Sequence, residues 1–183
     1  MGVLDSVIAA VTPEASDDER TKARAEARAL SQGTGWLSMV LDHHETIESC
    51  FAAVKGATSE TAQRAAQKQL ALFLTGHSLA EETVLYPAMA LDDQKAHATA
   101  AYTEQSAAKV QLAALDDLVP LSEDYADKLE HLRAAVMHHV YEEESKWFPA
   151  LRDTGDAAKQ SQLSRRFREE YERYAGATSR IAA

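Results

Sequence analysis

Residues 77–87, HSLAEETVLYP, and residues 139–149, HVYEEESKWFP, share one frame: His-x-x-x-Glu-Glu-x-x-[Leu/Trp]-[Tyr/Phe]-Pro. On a helix, a residue four positions on is turned by only about 40° and raised by about 6 Å. His77 with Glu81, and His139 with Glu143, therefore each stack an imidazole and a carboxylate on one face. Two such pairs facing one another can hold two cations, with carboxylates able to bridge them. His44 carries Glu48 at the same spacing. Imidazole plus carboxylate is the donor mixture for iron, manganese or zinc, and the large oxygen share tilts the choice to iron or manganese. The single cysteine, Cys50, excludes an intrachain disulfide and any thiolate-rich metal site. One His-x-x-x-Glu alone is often a solvated helix pair. A repeated frame on an otherwise apolar face is different, because buried ionised carboxylates need cations or an extensive hydrogen-bond network.

The elements that must carry these groups read as helices. The chain of 183 residues has seven glycines and four prolines, few β-branched runs, and much Ala, Leu, Glu, Gln and Lys. Leu37, Val40, Leu41, His44, Ile47, Phe51 and Val54 form one helical stripe; Leu70, Phe73, Leu74, His77, Glu81 and Leu85 form another. Thr12-Pro13-Glu14 opens an amphipathic segment over about 14–31, and Gly33-Thr34-Gly35 divides it from the next helix. Gly56-Ala57-Thr58-Ser59 ends that helix and caps its successor, Pro87 closes the second long helix near Ala90, and Asp92 is placed to cap the third. Val119-Pro120-Leu121-Ser122 divides the third from the fourth, and Asp153-Thr154-Gly155-Asp156 precedes a charged helix to about Tyr174. No strand is convincing. The expected architecture is all-α: an up-down-up-down four-helix bundle over residues 33–153, a helical extension over 1–32, and a charged helix over 154–183. The terminal helices can pack on the bundle or form a homodimer, and the charged run Arg165-Arg166-Phe167-Arg168 reads as a solvated face.

In such a bundle the spacing from Ser59 to His77 repeats from Leu121 to His139, and counting back from the Gly56 and Leu118 breaks reaches His44 and Gln105. His44, His77, Gln105 and His139 thus fall at one depth. Glu82 and Glu144 sit about 100° round their helices, as surface groups or as outer carboxylates that hold a ligand histidine. His43 and His138 point away as packing or surface residues, and His97 and His131 lie off the level. Leu85/Trp147, Tyr86/Phe148 and Pro87/Pro149 read as packing repeats that wall the site from water.

The net charge of −10 and pI near 5.1 argue against a nucleic-acid partner, which needs clustered Lys and Arg. No run of about 18 apolar residues or basic-apolar leader is present, so a soluble cytoplasmic chain with no membrane partner is expected. Gly2 and Ser6 match an N-myristoylation pattern, but it is short and no polybasic segment follows.

The motifs Asp-His-His44-x-x-Ile-x-x-x-Phe, His77-x-x-x-Glu81-Glu-x-x-Leu-Tyr-Pro and His139-x-x-x-Glu143-Glu-x-x-Trp-Phe-Pro resemble those of the hemerythrin-like His-His-Glu cation-binding family over about Trp36 to Leu151. The resemblance implies a four-helix bundle around a non-haem centre of two iron ions, with His44, His77, Glu81, His139 and Glu143 as ligands. The third helix departs from the pattern. Ala101-Tyr-Thr-Glu-Gln-Ser-Ala-Ala-Lys109 puts Gln105, a weak neutral oxygen donor, where the family has a histidine. Glu48 or Glu104 can fill the vacancy, Tyr102 can reach in, or one cation binds tightly and the other loosely; a carboxylate is the favoured substitute.

The function expected is that of a di-iron protein that meets dioxygen, peroxide or nitric oxide in sensing, storage or detoxification. An oxygen-rich centre disfavours reversible oxygen carriage. One alternative is a di-iron oxidase or peroxidase of ferritin-like type, but no histidine here has Glu or Asp three residues before it, the spacing those bundles use. A metal-free helical interaction module is the other.

Overall fold

A computed structural model describes residues 15–181, with side chains to residue 175. The Thr12-Pro13-Glu14 start and the Gly2/Ser6 pattern lie outside the described residues. Among these, all regular structure is helical. Helix α1 (Asp17–Ser31) starts after Ser16, whose hydroxyl accepts from the Glu19 amide while the Glu19 carboxylate accepts from the Ser16 amide, a reciprocal cap. Gln32, Gly33 and Gly35 take positive φ (53°, 70° and 77°) and turn the chain into α2 (Gly35–Gly56). Ser59 caps α3 (Glu60–Ala80) by accepting from the Ala62 amide.

After α3 comes a π turn, Glu81–Leu85, and the helix then resumes as α4 (Tyr86–Leu91). The Tyr86 amide donates to the Glu81 carbonyl, five residues back. Helix α5 (Lys95–Ala114) follows, then α6 (Glu123–Glu142), capped by Ser122. A second π turn, Glu143–Trp147, leads into α7 (Phe148–Arg152), with the Phe148 amide donating to the Glu143 carbonyl. Each π turn is followed by proline, Pro87 or Pro149. A proline inside an α-helix lacks a donor and presses its ring on the carbonyl four residues back. A wider turn just before it relieves that conflict.

Asp92 does not cap the third central helix. It closes α4, and its carboxylate accepts instead from Thr154 Oγ1 (2.9 Å) and from Lys159, fastening the start of the last helix, α8 (Ala157–Ile181). Helix α8 runs beyond the expected Tyr174. The contacts pair α2 with α3 and α5 with α6.

Two apolar clusters form the core. One gathers Leu37, Val40 and Leu41 with Ala80, Leu85, Met89, Ala101, Trp147 and Phe148. The other gathers Ile47, Phe51, Leu70, Leu74, Ala108, Leu112, Val136 and Val140. On α2, α3 and α5 the change from one cluster to the other falls at His44, His77 and Gln105, and along α6 and the π turn after it the change falls just past His139, between Val140 and Trp147. A polar layer thus lies between two apolar ones.

The terminal helices cover the π turns crosswise. Helix α1 packs on α2 and on Glu143–Trp147, burying Ala23 and Ala27. Helix α8 packs on α3, α2 and Glu81–Leu85, burying Leu163 and Phe167 while Arg165, Arg166 and Arg168 stay exposed. Ser164 and Gln160 of α8 accept from the Trp36 amide (2.9 Å) and indole Nε1 (2.7 Å). No helix among the described residues is long and apolar enough to cross a membrane.

Candidate metal centre

Helices α2 and α3 and the two π turns bring His44, His77, Glu81 and Glu143 together, each fully buried, with one donor atom apiece lying within 4.8 Å of the others. His44 Nε2 stands 3.3 Å from Glu143 Oε2 and 3.9 Å from Glu81 Oε1. His77 Nε2 is 3.3 Å from Glu81 Oε2. His44 Nε2, Glu81 Oε1 and Glu143 Oε2 are buried with no hydrogen-bond partner among the described residues. Orphaned buried donors and acceptors are costly, and three of them aimed at a common point, from imidazole and carboxylate, suit a divalent cation with nitrogen and oxygen ligands.

His139 and Gln105 make up the adjoining half. His139 Nε2 lies 3.2 Å from Glu143 Oε1. Gln105 Nε2 donates to Glu81 Oε2 (2.6 Å). The group at the centre of this half is one that sequence reasoning missed. The Tyr86 hydroxyl lies 2.8 Å from Glu143 Oε1, 3.2 Å from Glu81 Oε2 and 3.0 Å from His139 Nε2, and accepts from Gln105 Nε2 at 2.6 Å. Tyr86 is thus not the packing equivalent of Phe148 that the repeated frame suggests. Phe148 does pack, edge-on to Trp36 with ring centroids 5.5 Å apart. Tyr86 instead faces the polar layer. In an α-helix a residue five positions on from Glu81 points about 140° away; across the π turn, where the hydrogen bond spans five residues, it returns to the same side. Pro87 directly after the tyrosine was the sequence signal for that irregular turn.

The expected substitutes for the missing histidine are elsewhere. Glu48 is 42% exposed and held by Arg24 Nη2 at 2.7 Å, so its carboxylate is not drawn to the cluster. Glu104 stands behind His139, accepting from Nδ1 at 2.8 Å. Tyr102 donates to the backbone carbonyl of Glu82 at 2.6 Å. His97 and His131 are exposed, His97 stacking on Trp147.

Outer carboxylates orient two of the histidines. A carboxylate only accepts, so each facing Nδ1 carries the proton and turns the Nε2 lone pair inward. His44 Nδ1 donates to Glu144 Oε1 (2.8 Å), and Glu144 in turn accepts from Arg24 Nε of α1 (2.9 Å to Oε1). Arg24 also escaped sequence reasoning, although Arg20, Arg24 and Arg28 recur every fourth residue of α1. Glu82, the counterpart of Glu144, pairs with Lys109.

The cluster holds protons where a cation would otherwise sit. Burial, reinforced by the Glu143 charge, pushes the Glu81 carboxyl up to about 7. Burial opposes ionisation of Glu143 too, but His139 and His44 outweigh it and hold that carboxyl well below its usual range. Burial works against protonation of His44 and His139, yet Glu143 and Glu144 hold His44 well above its ordinary value, and Glu143 with Glu104 raises His139 to about 10. Burial, then the charges of His44 and His43, drive His77 well below. His43 itself, packed among Phe73, Phe167 and Tyr171, is pushed down to about 4 by burial and by His44.

Residues 37–151 match the model of the hemerythrin HHE cation-binding domain. A DNA nickase of Nostoc sp. (strain PCC 7120) is 33% identical over 95 residues, a match covering 52% of this chain and 27% of that protein. The chain thus spans about a quarter of the length of that relative. No solved structure matches the chain. The family match covers more than half of the sequence and includes His44, His77, Glu81, Gln105, His139 and Glu143. The chain belongs to the hemerythrin family of HHE cation-binding domains.

Proposed function

We propose that the chain is a non-haem iron protein that holds two cations in this layer and meets a small ligand there: dioxygen, peroxide or nitric oxide, in sensing, storage or detoxification. The observation that carries the reading is the convergence of His44, His77, Glu81 and Glu143 with buried, unpartnered donor atoms. His44 and His77 would hold the first cation with the two glutamates, whose second oxygens reach toward the other half. His139 would hold the second, with Tyr86 and with Gln105, whose unpartnered Oε1 faces inward once the amide is turned over. Iron, or manganese or zinc in its place, supplies the Lewis acidity, and iron also the redox chemistry, at a position open to a small ligand.

The rest is done by the chain. Glu144 and Glu104 fix the rings of His44 and His139. Leu41, Leu85, Trp147 and Phe148 on one side, and Ile47, Leu74 and Val140 on the other, exclude bulk water and leave no room for a large organic substrate. The half built from carboxylate, phenol and amide is rich in oxygen, which favours one-way oxidation or peroxide chemistry over reversible carriage. The reading takes α2, α3, α5 and α6 as an up-down-up-down four-helix bundle, and an acidic chain of this kind suits the cytoplasm. DNA nicking stays with the Nostoc relative, because the match covers a quarter of that protein and a net charge of −10 repels phosphate.

Elemental analysis of protein purified from iron-supplemented cells, without chelator, tests the reading. Two irons per chain are expected. One would restrict the centre to the His44–His77–Glu81–Glu143 group, and repeated preparations without metal would leave a helical interaction module as the function.

A further inference from the structure

Helix α1 is tied to α2 by two arginines of different kinds. Arg28 lies on the outside: its guanidinium reaches Asp42, Glu45 (2.9 Å) and the Ser38 carbonyl (3.3 Å), and both carboxylates are mostly exposed. Arg24, one turn earlier, points inward. Its Nε donates to both oxygens of Glu144 (2.9 and 3.1 Å), and its Nη2 meets Glu48 at 2.7 Å. Glu144 is only 1% exposed, and the oxygen that takes the Arg24 proton also accepts from His44 Nδ1 at 2.8 Å. A continuous chain of contacts therefore runs from α1 through Arg24 and Glu144 to the ring of His44.

The other outer carboxylate is built differently. Glu104, behind His139, is 31% exposed and can be solvated directly. Glu144 is sealed in, and a buried carboxylate needs a cation held in good geometry. Arg24 supplies it with a planar fork that spans Glu144 and Glu48 together, which a single ammonium cannot do. Without that fork the buried Glu144 charge loses its arginine partner, and its hold on His44 Nδ1, which fixes the direction of Nε2, loosens.

We propose that Arg24 is a positioning residue of the metal centre, so that docking of α1 and binding of a cation by His44, His77, Glu81 and Glu143 are one coupled equilibrium. The proposal rests on the metal-centre reading and adds to it a helix outside the four that carry the proposed ligands. Coupling of this kind is reciprocal: whatever factor α1 docking adds to cation affinity, the cation returns to the docking of α1. An order-of-magnitude guide is the loss of about 10- to 100-fold in metal affinity when an outer-shell partner is removed.

The test uses the full chain and Co(II), whose visible spectrum reports its ligand field, titrated against a competing chelator. Arg24→Gln is expected to weaken the tighter Co(II) site about 10- to 100-fold and to change its spectrum. Arg24→Lys should recover part of the affinity, and Arg28→Gln, which gives up only ion pairs to exposed carboxylates and leaves Glu144 held, should lose far less affinity than Arg24→Gln and keep the wild-type spectrum. Equal losses in Arg24→Gln and Arg28→Gln would reduce Arg24 to a tether and overturn the proposal, as would wild-type binding by Arg24→Gln. Hydrogen exchange on the wild-type chain needs no variant. Co(II) should slow exchange of the α1 amides by a factor matching the affinity lost in Arg24→Gln, and unchanged α1 exchange on saturation would overturn the coupling. A wild-type chain that takes up no Co(II) or iron would instead sink the metal-centre reading, and the proposal with it.

Discussion

Tyr86 is the residue on which the second half of the centre turns. Its hydroxyl has one proton to give and meets three groups able to take it, Glu143, Glu81 and His139 Nε2, while Gln105 donates to it. A phenol cannot satisfy three acceptors with one proton; extra protons on the cluster, or a cation, must supply the rest. Tyr86→Phe keeps the ring and its edge-on contact with Tyr102, at 5.1 Å between centroids, and removes only the oxygen. The metal-free variant should lose about 1–3 kcal/mol, the usual penalty for stranding buried polar groups, read as a lower thermal midpoint. Its metal content should fall toward one ion per chain, because His44 and His77 do not depend on the phenol. Retention of two ions with unchanged occupancy would remove Tyr86 from the ligand set.

Helix periodicity made the depth of the layer legible: the spacings from Ser59 to His77 and from Leu121 to His139 match, and His44 and Gln105 meet them between the two apolar clusters. The π turns left no trace but Pro87 and Pro149, because one extra residue in a turn leaves the preceding 3.6-residue pattern intact and shifts only the side chains beyond it. Tyr86 and Phe148 both follow such a turn, and the hydroxyl that only Tyr86 carries is what separates a site residue from a packing residue. Nor does any local signal pair Arg24 with Glu144, which lie 120 positions apart. The packing of α8 was visible only as an amphipathic stripe. Its closeness to α3 rests on Gly76, where an added Cβ would stand 2.8 Å from Tyr174 Cδ1. Glycine to alanine inside a helix ordinarily stabilises by about 1 kcal/mol, whereas forcing a methyl into close packing costs about 1–3 kcal/mol. Gly76→Ala is therefore expected to lower the thermal midpoint, and adding Tyr174→Ala should restore it. A Gly76→Ala protein that melts higher than wild type would show that α8 yields freely at this contact.

The protonation of the whole cluster links fold to cation binding. In the metal-free protein the Glu81 carboxyl sits at about 7 and His139 at about 10, both raised, and His44 is raised as well. A group whose folded value is raised stabilises the fold while it keeps its proton, and that contribution is lost as pH climbs through the folded value. For Glu81 the loss runs from its ordinary 4.5 to about 7, and for His139 from 6.5 to about 10. The metal-free chain should therefore lose thermal stability between about pH 7 and 10, as positive charge leaves a layer that still holds Glu143 and Glu144. A cation reverses the sign, since it binds deprotonated imidazole and carboxylate and releases protons on entry. Its affinity should rise over the same pH range, and with saturating Co(II) the thermal midpoint should hold steady where that of the metal-free chain falls. The decisive comparison is a pair of melting series, with and without Co(II), across that range. Parallel curves would mean that the protons of this layer and the cation do not occupy the same place, and convergence of the two curves toward low pH would mean that they do.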